Sequence, residues 1–178
     1  MINTPQTNTQ NVLEHGISVA KHFDKLISGD TNNWKLPTWF IDNKELILNN
    51  LHSLEDIKEY HVMHDCGKSY CMTIDEQGKR HFTNHSQVSF DTFSKISDNK
   101  VVADLILKDM VLHTIKSDEV EDFIKNNSIK TVITLLVTAL CELHSNASMF
   151  GGTESTSFKI KFKQLDKRGK QILKLINK

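Results

Sequence analysis

The sequence predicts a mostly α-helical fold with a short C-terminal extended segment or a small hairpin. Apolar residues recur at intervals of three and four through most of the chain, which is the spacing of amphipathic helices. Proline, which interrupts helices, occurs only at Pro5 and Pro37. An alternation of period two, typical of a strand, occurs at 157–163, where large apolar residues alternate with lysines.

Length and composition favour one domain spanning residues 1–178. Of the 178 residues, 38% are hydrophobic and 25% are charged, which suits a single compact core. Twenty-two basic residues balance 22 acidic ones, so net charge alone does not predict a nucleic-acid or membrane partner. The three cysteines lack the repeated Cys-x-x-Cys spacing of a zinc knuckle, which favours a reducing, cytoplasmic setting. The N-terminal segment is polar and no apolar run is long enough to span a membrane, so we expect no membrane association.

The individual elements follow from local patterns. A first helix with one apolar stripe is expected to end at Gly29, and the long apolar run at 129–144 is expected to form the central core helix. The polar turn at 75–78 suits a loop or short hairpin, because Gly78 tolerates left-handed backbone. The expected elements, in order, are helix 12–27, loop 32–37, helix 43–51, helix 54–64, loop or hairpin 73–82, helix 86–96, helix 101–116, a short helix after Ser117, helix 129–144, strand 157–163 and a basic helix 167–176.

The His64-Asp65 doublet follows the third predicted helix and runs into Gly67-Lys68. An imidazole nitrogen and a carboxylate oxygen can hold one cation together, and this pair of ligands leaves the metal open. The dipeptide also occurs by chance, so a metal site requires further ligands.

Other candidate ligands lie on the predicted helices. Asp109 and His113 are four residues apart on one apolar helix face, where a buried carboxylate needs a cation or a hydrogen-bond donor. His15 lies on the apolar stripe of the first helix, and His85 begins a later one. A histidine on an apolar face is more often a hydrogen-bonded core residue than a ligand, so both interpretations stay open from these residues alone.

With these residues the chain resembles the HD superfamily of metal-dependent phosphohydrolases, in particular the HD domain of bacterial CCA-adding tRNA nucleotidyltransferases. The resemblance lies in three blocks, at 63–68, 80–89 and 107–113, which contain Met-His-Asp-Cys-Gly-Lys, Arg-His-Phe-Thr-Asn-His-Ser-Gln-Val-Ser and Leu-Lys-Asp-Met-Val-Leu-His. Together with His15 these blocks cover roughly residues 11–116 and leave the last third unmatched. The resemblance implies an HD-domain helical bundle. We do not expect CCA addition, because these 178 residues show no resemblance to the nucleotidyltransferase head of that family.

The resemblance implies a role for each matching residue. Asp65, Lys68 and His85 would be catalytic, with Lys68 facing the substrate phosphate and His85 contacting the substrate or a second metal. The distance between His15 and the doublet would reflect an insertion around 34–50. One or two divalent ions (Mn, Ni, Mg, Zn or Fe) would be held by the implied metal ligands, which are His15, His64, Asp65, His85, Asp109 and His113.

The implied activity is hydrolysis of a nucleotide or RNA phosphoester, with a 2′,3′-cyclic or terminal phosphate favoured. A metal-activated water would attack phosphorus while Lys68 and His85 neutralise the phosphate oxygens. Hydrolysis of deoxynucleoside triphosphates or of cyclic nucleotides competes with this prediction. Lys159 and Lys161, on the outer face of the predicted strand, would bind substrate phosphates, although such lysines also protect a solvated strand edge. The alternative function is a non-catalytic HD-fold module that binds nucleic acid or protein through this basic segment.

Overall fold

The computed structural model describes residues 1–6, 10–31 and 34–178. It confirms a mostly helical fold with a small two-stranded sheet. Two compact units are present, the first formed by Met1–Ala20 and Glu55–Met110 and the second by Lys21–Leu54 and Val111–Lys178. Within the described ranges, no helix combines the length and the apolar character needed to cross a membrane.

The described residues form helices of 4 to 21 residues and one β-hairpin. In chain order the elements are α1 (Val12–Ser28), α2 (Thr38–Asp42), α3 (Lys44–Asn49), α4 (Leu54–Met63), α5 (Lys68–Cys71), β1 (Met72–Ile74), β2 (Arg80–Phe82), α6 (His85–Phe93), α7 (Lys100–Lys108), α8 (Val111–Thr114), α9 (Val120–Lys125), α10 (Ile129–Ser145), a short 3-10 helix (Ala147–Phe150) and α11 (Thr156–Ile176).

In the first unit, helices pack beside the antiparallel hairpin of β1 and β2. Met72 lies opposite Phe82 in the hairpin, and Gly78 in its turn has a φ of 76°. Of the two alternatives predicted for 73–82, a loop or a hairpin, the structure has the hairpin. Helix α6 packs against both α5 and α7. The apolar core of this unit includes fully buried side chains from α4, α6 and α7, among them Ile57, Phe93 and Leu105.

Two glycines of the first unit allow backbone segments to approach closely. A Cβ atom on Gly16 of α1 would lie 2.7 Å from the backbone oxygens of His61 and Val62 in α4. A Cβ atom on Gly67 would lie 2.4 Å from the backbone nitrogen of Ser89 in α6. Because no larger residue fits at either contact, these glycines allow α1 and α6 to pack directly against the segment that contains the His-Asp doublet.

The second unit is built on α10, the core helix that the apolar run predicted. Every residue of α10 from Thr131 to His144 is buried. Helix α11 packs against α10 and also against α2, α8 and α9. Gly169 of α11 faces Trp39 of α2, where a Cβ atom would lie 2.4 Å from the indole nitrogen. The helical periodicity of these segments thus corresponds to buried faces of one core.

The strand predicted at 157–163 is wrong, because these residues form the beginning of α11. Ser155 caps the helix by accepting a hydrogen bond from the Phe158 backbone nitrogen at 3.1 Å. Phe158 and Phe162 are buried, whereas Ile160 is 53% exposed. The buried positions therefore have helical spacing, and the alternation with lysines over seven residues does not reflect a strand.

Other boundaries differ from the sequence predictions. The helix expected at 101–116 is divided into α7 and α8, with a turn at Asp109 whose backbone nitrogen bonds to the Ile106 oxygen at 3.3 Å. This bond spans three residues and tightens the helix end. The short helices α2 and α5 were not predicted. Residues 32–33 of the loop expected at 32–37 lie outside the described residues.

Candidate metal-binding site

The carboxylate of Asp65 is the centre of a buried polar cluster in the first unit. Asp65 is 1% exposed. Its Oδ2 lies 2.7 Å from Lys68 Nζ, 3.2 Å from His64 Nε2 and 3.9 Å from His15 Nε2. Its Oδ1 lies 3.7 Å from His85 Nε2. Four other predicted site residues therefore surround the Asp65 carboxylate.

The turn after α4 sets the direction of Asp65 and Lys68. The Lys68 backbone nitrogen donates to the Asp65 oxygen at 3.0 Å, so both side chains leave the same side of the turn. The Gly67 nitrogen donates to Ser89 Oγ at 3.0 Å, and Cys66 Sγ donates to the Ser89 oxygen at 3.4 Å. Since Ser89 belongs to α6, these bonds hold the turn beside the helix that begins with His85.

Cys66 is next to Asp65 in sequence but does not resemble a metal ligand. Burial raises the pKa of the Cys66 thiol to about 11, and the nearby Asp65 carboxylate acts in the same direction. The side chain is therefore a protonated thiol at neutral pH, consistent with its bond to Ser89.

Backbone carbonyls orient two of the histidines. His64 Nδ1 donates to the His61 oxygen at 2.8 Å, and His85 Nδ1 donates to the Phe82 oxygen at 3.0 Å. A carbonyl only accepts, so each Nδ1 carries a proton. In both residues the Nε2 atom is the one that faces Asp65. This is the orientation in which metal-binding histidines are commonly held, with one nitrogen bonded to the protein and the other directed to the ion.

The contact between His85 Nε2 and Asp65 Oδ1 indicates that the cluster suits a cation. Burial, and then the charge of Lys68, lower the pKa of His85, so its Nε2 is an unprotonated lone pair at pH 7. Among the described residues, buried Asp65 Oδ1 has no hydrogen-bond donor. Two electron-pair donors thus face each other at 3.7 Å without a proton between them. A divalent ion, bound about 2.0–2.2 Å from each kind of ligand, would satisfy both.

The charge state of Asp65 supports the same assignment. Burial by itself would raise the pKa of this carboxyl, but His64 and Lys68 outweigh burial and hold the pKa well below its usual range. Asp65 is therefore an anion at neutral pH. A buried anion requires a cation or several donors nearby, and Lys68 supplies one of them.

His15 approaches the doublet from α1. It is 2% exposed, and its ring packs edge to face with that of His64 at a centroid distance of 5.3 Å. One ring nitrogen of His15 lies within 4.8 Å of one ring nitrogen of His64. The close approach of Gly16 to α4 explains this position, because Gly16 follows His15 directly. These buried imidazoles, together with Asp65, could hold a metal ion.

Asp109 is linked to the cluster through Tyr60, a residue that the motif blocks did not indicate. Asp109 is 6% exposed, and its Oδ1 accepts a hydrogen bond from the Tyr60 hydroxyl at 2.5 Å. The Tyr60 ring contacts the His64 ring at a centroid distance of 6.3 Å. Tyr60 precedes His64 by four residues, so helical spacing could have placed it on the same face as the doublet.

Lys68 has a second partner that no sequence signal indicated. Its side chain is 9% exposed, and Nζ donates to Gln6 Oε1 at 3.0 Å in addition to Asp65. The ammonium also lies 5.2 Å from the centre of the Phe82 ring. Gln6 comes from the N-terminal segment, whose sequence has neither helical nor strand periodicity. Lys68 is thus a buried cation that donates hydrogen bonds to Asp65 and Gln6 and lies beside the Phe82 ring.

Three predicted site residues belong to the second unit. His113 Nε2 lies 3.0 Å from Oε2 of the buried Glu142. Lys159 Nζ lies 2.9 Å from Glu154 Oε2, and Lys161 Nζ lies 5.2 Å from the Phe150 ring centre. The metal role of His113 and the substrate roles of the two lysines stay predictions.

No protein-family model, curated protein or solved structure matches this chain. The observations that support a metal site are therefore the buried Asp65 anion, the oriented imidazoles beside it and its ion pair with Lys68.

Proposed function

We propose that this protein is an HD-type, metal-dependent phosphohydrolase that acts on a nucleotide or RNA phosphoester. The observation that carries the proposal is the facing pair of Asp65 Oδ1 and His85 Nε2, which are 3.7 Å apart and without a proton between them. A structural ion pair would place a donor there. A cation is the group that makes this arrangement favourable.

The residues that would hold the metal are His15, His64 and Asp65, with Asp109 as the distant ligand of the HD signature. His85 would complete the site or hold a second ion. When bound, a divalent ion would lower the pKa of water and polarise a phosphoryl oxygen. Tyr60 is a positioning residue in this proposal, because its hydroxyl orients Asp109.

The side chains of the protein supply the remaining chemistry. Asp65, an anion at neutral pH, can orient a water molecule through its carboxylate. His85 Nε2, unprotonated at pH 7 and directed at Asp65, would hold the ion and so would not also take up a proton. Lys68 can donate to phosphate oxygens as charge develops on them, exchanging the neutral Gln6 amide for an anionic partner.

The proposed substrate class comes from the resemblance to the HD domain of CCA-adding enzymes. Nucleotides and RNA ends with a 2′,3′-cyclic or terminal phosphate are therefore the first compounds to test. Deoxynucleoside triphosphates and cyclic nucleotides belong in the same panel, because the three sequence blocks also suit these activities.

The experiment compares metal-stripped protein with protein supplied with Mn²⁺, Ni²⁺ or Mg²⁺ on this panel. We expect hydrolysis only with metal. Asp65→Asn should weaken metal binding by at least about 10–100-fold, the loss typical even of residues that only support ligands. Asp98→Asn, at an exposed position, is the matched control and should bind and hydrolyse like the wild type.

A second variant guards against loss of folding at the buried Asp65 position. His85→Gln keeps a polar side chain at a half-buried position, and circular dichroism reports whether the helices persist. Equal hydrolysis by stripped and metal-loaded protein would contradict the proposal. So would unchanged metal affinity in both folded variants.

A further inference from the structure

One side of α11 carries a row of exposed lysines. They are separated by four, four, three and four residues, which places them along one side of the helix. All of them are exposed. This lysine row consists of Lys159, Lys163, Lys167, Lys170 and Lys174. Lys161 has a different helical angle and does not belong to it.

The opposite side of α11 is fixed in the core of the second unit. Phe158 and Ile172 are fully buried, and Phe162 and Leu165 are 8% and 7% exposed. The helix therefore presents its lysines from a rigid support. These four buried side chains are unavailable for the insertion into a lipid bilayer that an interfacial membrane helix requires, and Ile160, which is 53% exposed, does not form an apolar face by itself.

The lysine row keeps an excess of positive charge although the whole chain has a net charge of zero. Asp166 is the single acidic residue of α11. It pairs with Lys170 at 2.7 Å, and Glu154 pairs with Lys159 at 2.9 Å. Both lysines are more than half exposed, so these are weak surface pairs that another anion can replace.

Acidic side chains of the described residues do not neutralise the other three lysines of the row. Among the described residues, no ion pair involves Lys163, Lys167 or Lys174. The row thus combines two exchangeable ion pairs with three exposed ammonium groups that face solvent.

We propose that the lysine row is a docking surface for the phosphate backbone of a nucleic acid. From Lys159 to Lys174 the helix rises about 22 Å at 1.5 Å per residue, a length that matches six or seven phosphates of one strand at about 3.4 Å each. Flexible ammonium groups bind phosphates as point charges and do not read bases. The docking is therefore independent of nucleotide sequence, and it does not require the proposed hydrolysis.

The test measures binding of fluorescein-labelled 20-nucleotide RNA and of a 20-base-pair DNA duplex as a function of salt. Neutralising five phosphates gives a slope of log K against log salt of about −3.5 to −4.5. The variant Lys163→Gln/Lys167→Gln/Lys174→Gln should reduce this slope by about 2–3 and weaken binding at low salt by at least about tenfold. All three positions are exposed, so the variant should keep its fold.

The matched control removes three exposed lysines elsewhere in the second unit, by Lys21→Gln/Lys25→Gln/Lys130→Gln. It changes the net charge equally and should bind the oligonucleotides like the wild type. Metal-stripped wild-type protein should also bind normally, which separates this proposal from the metal site. Equal losses in both triple variants would overturn the proposal, and so would lack of oligonucleotide binding. Preferential binding to phosphatidylserine–phosphatidylcholine vesicles would overturn it in favour of a membrane surface.

Discussion

At the scale of single residues, Tyr60 shows how a distant pair completes the candidate site. Tyr60 and Asp109 are 49 residues apart in sequence, yet the hydroxyl donates to Asp109 Oδ1 at 2.5 Å. Tyr60 is fully buried and Asp109 is 6% exposed. A carboxylate removed from water depends strongly on each donor that faces it.

Replacing Tyr60 by Phe tests this bond while keeping the buried ring. A lost hydrogen bond to a charged group costs about 1.5–3 kcal/mol, so we expect Tyr60→Phe to lower the free energy of unfolding by about that amount. Urea denaturation measures the change. Tyr70→Phe is the control, because Tyr70 is 75% exposed and should change stability by less than about 0.5 kcal/mol. Similar losses in both variants would contradict a special role for Tyr60.

Metal affinity gives a second readout for the same variant. If Tyr60 only supports packing, metal binding should stay at the wild-type level. If it orients Asp109 toward an ion, isothermal titration with Mn²⁺ should show about 10-fold or greater weakening in Tyr60→Phe.

At the scale of elements, α11 begins with a segment, 157–163, for which the local pattern predicted a strand. A seven-residue alternation of apolar and basic residues fits a strand, but it also fits a helix when one of the apolar residues is exposed. Ser155 and the core contacts of Phe158 and Phe162 decide between them. Capping and tertiary packing are therefore stronger determinants here than the local period.

Ser155→Ala tests this explanation. Loss of an N-cap typically costs about 1 kcal/mol, and we expect that decrease in the free energy of unfolding. Ser157→Ala lies in the first turn of the same helix at an exposed position, and it should leave stability nearly unchanged. Equal effects of the two substitutions would mean that the Ser155 hydroxyl does not cap α11.

The same contrast explains which parts of the site were predictable. Long periodic segments such as α1 and α10 were predicted because their buried faces repeat over several turns. The motif blocks contain His64, Asp65 and His85, whereas His15 was predicted from its place on the apolar stripe of the first helix. Gln6 was not predictable, because its bond to Lys68 joins residues 62 positions apart without any local signal.

At the scale of the whole molecule, stability should depend on pH through the buried His144. Its ring stacks on Trp34 at a centroid distance of 4.3 Å, and its Nε2 lies 3.4 Å from the Lys35 oxygen. Burial and the nearby His22 lower the pKa of His144 to about 4, although the Lys35 carbonyl acts in the opposite direction. An unfolded histidine has a pKa of about 6.5.

The sign of the pH effect follows from these two values. Between pH 6.5 and 4 the unfolded state binds a proton at His144 that the folded state does not, so acidification favours unfolding. The stabilising contribution is complete above about pH 6.5 and is lost as the pH falls to about 4, with a total change of about 3 kcal/mol.

The variant His144→Phe keeps an aromatic ring beside Trp34 but removes the titrating group. We expect the difference in unfolding free energy between wild type and variant to change by about 3 kcal/mol from pH 7 to pH 4. Fluorescence suits the measurement, since both tryptophans of the chain, Trp34 and Trp39, belong to the same unit as His144. A constant packing difference shifts the two curves without altering this slope. A difference that stays flat across that range would show that His144 protonates equally in the folded and unfolded protein.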